Sequence, residues 1–263
     1  MNDIKESLLM IPSGIKEGKL YSFRPNDGTG DFTVSRNSTA TYVDEDGLIK
    51  TALANVPRID WSTGEAALLV EPQSTNILDK NTPNALIGVS LDGIVADPTG
   101  GNNARAYSKT GPDTLIRFGS VDTPLTESVK VASVWVRSYS GTAQIRLDSQ
   151  DNNGTIFNIS EQWQRIEVNS LGRTTDQGFM DVEEVTGTIH LWAPQLEQGT
   201  KATSTIVIGN SSVTRLADNI SVPTPAGVTA ITETIDGVDQ TPITTIPATY
   251  SLPVGNINKV TML

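Results

Sequence analysis

Few residues in this chain could do chemistry, and they are dispersed. His190 is the only histidine. It stands in Ile189-His190-Leu191-Trp192, where strand alternation puts it on the face opposite Ile189 and Leu191. A Ser-His-Asp triad would need that ring, yet no serine sits in a Gly-x-Ser-x-Gly elbow. The expectation is a strand histidine without catalytic chemistry. Carboxylates cluster at Asp44-Glu45-Asp46, at Asp148 with Asp151, and at Asp181-Glu183-Glu184. A glycosidase needs two such groups flanking the scissile bond. Each cluster lies in or beside turn-like sequence, where Asp is favoured for backbone reasons, so solvated turn acids are expected. Residues 148–154 offer several oxygen ligands and a glycine, as a calcium loop would. They lack both the D-x-D-x-D-G spacing and a distal bidentate Glu. A plain hairpin loop is expected there and at Asp44 to Gly47. With no cysteine, disulfides and thiolate metal sites are excluded. No enzyme, cofactor or metal is expected.

The remaining candidates are aromatic. A sugar presents an apolar C–H face that a flat ring can cover. The four tryptophans are Trp61, Trp135, Trp163 and Trp192. Trp135 lies between Val134 and Val136, and Trp192 lies in a strand that should fill the interior, so core packing is expected for both. Trp163 follows Ser160-Glu161-Gln162 and starts a strand, which suits partial exposure. Tyr107 and Tyr139 sit at strand ends near loops. A glycan site would then use Tyr107, Tyr139 and Trp163, flanked by Gln144, Asn152 and Asn153 to orient hydroxyls. Arg36, Arg58 and Arg215 have two readings: pairing across a subunit interface, where Arg is enriched, or local pairing with the surplus acids.

These residues need β elements to position them. Gly 22 and Pro 14, with many Thr, Val, Ile and Ser, point to an all-β, turn-rich chain. Its 263 residues suffice for a normal buried core. From Asp31 to Leu78, short β segments alternate with turn signals such as Asp44 to Gly47 and Trp61 to Gly64. Residues 79–105 read as loop-rich. Strands are then expected over 104–108, 115–118, 129–137, 143–149, 155–159, 164–169 and 188–195. Seven strands at that spacing suggest a β-sandwich. After the break at Pro223 to Gly227, short β segments follow over 228–235, 243–246, 249–252 and 257–262, a unit too small to build much core alone. The resulting division is an N-terminal arm (1–30), a β segment (31–78), a sandwich (79–222) and a small C-terminal β unit (223–263). The arm reads either as a strand docking on a neighbouring subunit or as an edge strand of its own sheet.

The segments SRNSTATYVDEDGLIKTALANVPRID and LLVEPQSTNIL resemble a module that recurs in virion proteins of tailed bacteriophages, including tail and head fibres and appendages. MIPSGIKEGKLYSFRPNDGTGDFTVSR, HLWAPQLEQGTKATSTI and SVTRLADNI fit the same family. KVASVWVRS, TAQIRLDSQDNNGTIF, EQWQRIEV and GTIHLWAPQLEQG resemble, by order and patterning, the jelly-roll carbohydrate-binding modules often fused to such segments. The resemblance implies an all-β protein with a jelly-roll-like sandwich, carried on the virion, homo-oligomeric with a trimer as first choice, and contacting other virion proteins and a host surface glycan.

Charge narrows the partners. Lys+Arg 19 against Asp+Glu 30 gives a net charge of −11, which disfavours nucleic acid and anionic membranes. The N-terminus lacks the basic and apolar regions of a secretory signal, and no apolar run approaches the roughly 20 residues of a membrane helix. Synthesis in the host cytoplasm without membrane insertion is expected. Three functions remain: an adhesive fibre or appendage protein, a purely architectural decoration or adaptor, and, least favoured, a polysaccharide depolymerase.

Overall fold

The computed structural model describes residues 6–124, 129–148, 154–170 and 177–263. Strands and turns make up the described residues, and no helix among them is long and apolar enough to cross a membrane. The chain forms two compact units, Met1–Gln73 with Arg215–Leu263, and Ser74–Thr214.

The second unit is a jelly-roll-like sandwich of two five-stranded antiparallel sheets. The front sheet runs Val89–Val95, Ala104–Lys109, Thr188–Gln198, Lys130–Ser138, Gln164–Asn169. The back sheet runs Ala85–Ile87, Leu115–Pro124, Gln177–Glu183, Ala143–Asp148, Thr155–Ile159. Period-two alternation turns Val134, Val136, Ile189 and Leu191 of the front sheet and Ile116, Phe118, Ile145, Leu147 and Val182 of the back sheet into one core. The seven sandwich strands expected from alternation all form. Three more, Ala85–Ile87, Val89–Val95 and Gln177–Glu183, fall where the sequence reads as loop or turn. Val89–Val95 is an edge strand whose alternation is broken by a register shift between Leu91 and Gly93, so its pattern is illegible locally. Gly88 lets the chain cross from the back sheet to the front. Its φ is +56°, and a Cβ there would stand 1.9 Å from the Asp113 carbonyl oxygen.

The first unit joins both ends of the chain. Gly255–Met262 pairs with Ile231–Ile235 along one side and with Ala67–Val70 and Leu8–Met10 along the other. Asn219–Pro223 lies between Thr249–Ser251 and Thr33–Ser35. Leu8, Met10, Leu20, Leu68, Val70, Ile220, Tyr250, Val260 and Met262 share one core. Residues from the arm, the 31–78 segment, the end of the 79–222 segment and the C-terminal segment therefore fold together. Turn signals mark where a chain reverses; which strands pair afterwards is decided by non-local packing, which local signals do not carry. Of the two readings of the arm, the structure has Leu8 opposite Met262 in the sheet of its own unit.

Candidate functional site

Inward Val134 and Val136 force their neighbours Trp135 and Arg137 onto the outer face of the front sheet, and inward Ile189 and Leu191 do the same for His190 and Trp192. Arg137 lies opposite His190, and Trp135 opposite Trp192. Both lie outside the cluster between the sheets; Trp192 is nevertheless buried at 6% exposure, as expected from the sequence, whereas Trp135 is only half-buried, contrary to it. The alternation that buries the flanking valines is what excludes Trp135. One end of this outer face is covered by the chain over residues 203–206. Trp135 Nε1 donates to Thr205 Oγ1 at 2.9 Å, Arg165 Nη1 donates to the Thr203 carbonyl at 2.6 Å, and the Ile206 N–H donates to Gln195 Oε1 at 2.6 Å. Asn76 clamps the same segment, donating from Nδ2 to the carbonyls of Pro194 and Ile206, each at 3.0 Å.

At the other end an aromatic platform stays open. Tyr139, 68% exposed, tilts over His190 with ring centroids 5.8 Å apart. The half-buried Trp163 approaches the same imidazole at 6.5 Å. The Arg137 guanidinium lies 5.1 Å from the Trp163 ring centroid, a cation–π arrangement. Its Nε donates to His190 Nδ1 at 3.0 Å. An Nδ1 that accepts leaves the ring proton on Nε2, so His190 is the neutral Nε2–H tautomer. Burial, and secondarily the Arg137 charge, hold its pKa below the ordinary histidine value. The cluster offers an exposed phenol ring, a half-covered indole and a cation, which is the equipment to stack a sugar face and bind its oxygens.

The other sequence candidates go elsewhere. Tyr107 is a correction: it points into the core at 0% exposure rather than lining a loop, because it pairs with inward Ile189. Its hydroxyl finds no hydrogen-bond partner among the described residues, and burial raises its pKa. Gln144 is exposed on the back sheet, where its Nε2 donates to Asn158 Oδ1 and its N–H to Thr186 Oγ1. Asn152, Asn153 and Asp151, with most of the 148–154 loop, lie outside the described residues.

The carboxylate clusters also resolve. Asp44 Oδ1 accepts the N–H groups of Asp46 and Leu48, so it closes a hairpin turn. Asp181 and Glu183, expected as turn acids, instead lie on a strand of the back sheet. Arg117 makes two bonds to Asp181, and Arg146 binds Glu183 and Glu184. Asp181 is buried opposite the equally buried Asp148, and its pKa is raised, first by burial, against the pull of Arg117. At 4% and 5% exposure, neither carboxyl presents itself to a polysaccharide.

Arg36, Arg58 and Arg215 choose local pairing. All three are buried in the first unit around Asp218 and Glu71. Arg36 Nη1 binds Asp218 Oδ1 at 2.7 Å, Arg58 Nη2 binds Asp218 Oδ2, and Arg58 Nη1 binds Glu71 Oε2 at 2.8 Å. Arg215 adds longer contacts to both acids and donates to the Pro72 carbonyl at 2.7 Å. Three cations face two anions, and the carbonyls of Ser38, Leu53, Val56 and Thr41 accept further guanidinium donors. The segments carrying SRNSTA, VPRID, LLVEP and TRLAD converge on this one ion cluster. Its chemistry is structural.

No family model matches the chain, and no curated protein does. Among solved structures, it is similar to the CBM22-1 xylan-binding domain from Paenibacillus barcinonensis Xyn10C, at 14% identity and a TM-score of 0.34 over 49% of this chain and 94% of that one. It is also similar to the carbohydrate-binding module CBM6cm-2 from Cellvibrio mixtus lichenase 5A in complex with cellotriose, at 10% identity and a TM-score of 0.31, covering 51% of this chain and 100% of that one. The tripod (BppUct-A-L) from the baseplate of bacteriophage Tuc2009 matches at 12% identity and a TM-score of 0.28, covering 87% of this chain and 97% of that one. At these identities and scores, the likenesses assign no function to this chain.

Proposed function

We propose that this protein is a structural and adhesive component of a tailed-phage virion, a fibre or appendage subunit whose sandwich unit holds a host surface glycan. The observation that carries the adhesive half is the open platform of Tyr139 and Trp163 over His190. A ring as exposed as Tyr139 adds little to a fold. It gains by covering a ligand. The virion half rests on the sequence resemblance, most of whose segments lie in the first unit. One stacked ring and a few solvent-competed hydrogen bonds leave a weak single site, on the order of millimolar. A symmetric homo-oligomer, a trimer by preference, would raise avidity by about two orders of magnitude or more. On this reading the site holds sugar and cuts nothing.

The test is a glycan array or host-cell pull-down with the assembled protein, with oligomeric state followed by light scattering. Wild type should bind a host surface fraction without releasing reducing ends. Tyr139→Ala and Trp163→Ala should each weaken binding at least about tenfold. Binding that both variants retain would remove the platform from the site. A second reading, pure architecture, is favoured by the ion cluster, on which the resemblance-bearing segments are spent. A wild type that binds no host fraction would establish it over the first.

A further inference from the structure

Two arginines of the platform's own unit are held by carboxylates, and Arg137 is not. Arg117 is held by Asp181, and Arg146 by Glu183 and Glu184. Arg137 has no carboxylate partner among the described residues. Its one bond runs from Nε to the neutral His190 Nδ1, and one face of its guanidinium lies towards the Trp163 ring. Nη1 and Nη2 make no bond among the described residues. Glu161, two residues before Trp163, has its Oε1 engaged by the Gly141 N–H at 2.6 Å. In a chain of net charge −11, a guanidinium left without a counterion on an aromatic platform is available to an incoming anion.

Resting on the glycan-binding reading above, we propose that the platform selects glycans that carry a carboxylate, the uronic and nonulosonic acid class, with Arg137 as the selecting residue. The geometry of the group supports this choice. Nε is tied to His190, so the free edge is the Nη1–Nη2 pair, and a guanidinium edge meets a carboxylate with two parallel N–H···O bonds. Such charge-assisted bonds are about twice as strong as neutral ones. A neutral sugar stacked on Tyr139 would shed water from the same cation and return only hydroxyl acceptors, so it gains less. The rings would supply the sugar-face contact common to both classes, and Arg137 the discrimination between them.

The experiment uses the full chain in its assembled state and surfaces bearing oligomers of galacturonate, glucuronate and N-acetylneuraminate, each beside its carboxyl-reduced counterpart, at low and high salt. At least one acid should bind about tenfold more tightly than its reduced form, with the advantage shrinking at high salt. Arg137→Gln should abolish that preference, bringing the acid's affinity down to that of its carboxyl-reduced counterpart. Arg137→Lys should restore part of the preference, as a point charge without the fork. Tyr139→Ala should weaken acid and reduced forms alike. Unchanged thermal midpoints in the arginine variants would separate lost selectivity from lost fold. Equal wild-type binding to acids and reduced forms, or a preference that survives Arg137→Gln, overturns acid selection while the glycan-binding reading stands. No binding to any member of the panel or to any host fraction overturns both.

Discussion

Arginine does opposite work in the two units. Arg36 and Arg58 of the first unit are 1% and 0% exposed, wrapped by Asp218, Glu71 and backbone carbonyls. Arg137 of the second unit lies on an outer sheet face, beside rings and without an acid. A buried guanidinium must have its charge met and its donors satisfied, so its surroundings are dictated by folding. A half-exposed one is solvated, and its surroundings are free to serve binding. The arginines most conspicuous in sequence, those inside recognisable segments, are the structural ones. The arginine positioned for a ligand sits in an ordinary-looking strand.

The most damaging way to probe this contrast is to remove the acid around which three buried arginines gather. Asp218→Asn keeps the shape and deletes the charge facing Arg36 and Arg58. Breaking a buried pair from one side leaves an uncompensated charge, and a loss of roughly 3–5 kcal/mol is expected. Arg137→Gln should stay within about 0.5 kcal/mol of wild type, as surface substitutions do. Urea denaturation of both variants, read by intrinsic fluorescence, measures the difference. Equal stabilities would mean that the cluster is no keystone.

Glu233 sharpens the comparison from within the first unit. It is 8% exposed, and its Oε1 has no hydrogen-bond partner among the described residues, unlike the acids of the cluster. Burial raises its pKa above the ordinary value of 4.5. Between its unfolded and folded values the native state holds a proton that the unfolded chain has released, and Glu233 contributes a penalty that grows as pH rises from the unfolded value through its folded pKa. Glu233→Gln removes the charge that burial disfavours and should stabilise the protein at pH 7. The gain should fade below the unfolded value, where both states carry the proton. Unfolding midpoints of the variant and wild type across that range test it, and a variant less stable than wild type at neutral pH refutes it.

These contrasts explain what sequence could show. The β class and the seven sandwich strands were legible because Val134, Val136, Ile189 and Leu191 alternate cleanly. The same rule placed His190 outward. Read one residue further, it would have placed Trp135 outward too, whereas Tyr107, between same-face Arg105 and Lys109, is turned inward only by its pairing with Ile189. Trp135 was misjudged because bulk suggests a core even where the valines on either side fill it. Val89–Val95 was hidden by the shift between Leu91 and Gly93, and Gln177–Glu183 by acids whose partners, Arg117 and Arg146, lie on other strands. No local pattern announces a partner about sixty residues away, such as Asp181 for Arg117. The fate of Arg36 was unreadable for the same reason: its acid is Asp218, separated from it by 182 positions. Arg137 itself was not singled out, since an absent partner has no sequence signal.

The smallest effect, and the one closest to the platform, is the titration of His190. As the only histidine, it gives unambiguous ring C–H resonances. Burial first and Arg137 second lower its pKa, so its midpoint should fall below 6.5. Arg137→Gln removes the second cause and leaves the first, so the midpoint should rise yet stay below 6.5. The sign for stability follows. Above 6.5 the ring is neutral in both states, and the platform is fully formed. As pH falls, the unfolded chain takes the proton first, and stability is lost progressively down through the folded value. Once Nδ1 carries a proton it can no longer accept from Arg137 Nε, and two like charges face each other. Glycan binding should therefore weaken over the same interval in wild type. Pure architecture predicts the same His190 midpoint with no ligand to release. A midpoint that does not move in Arg137→Gln would show that the guanidinium is not held against the ring in solution.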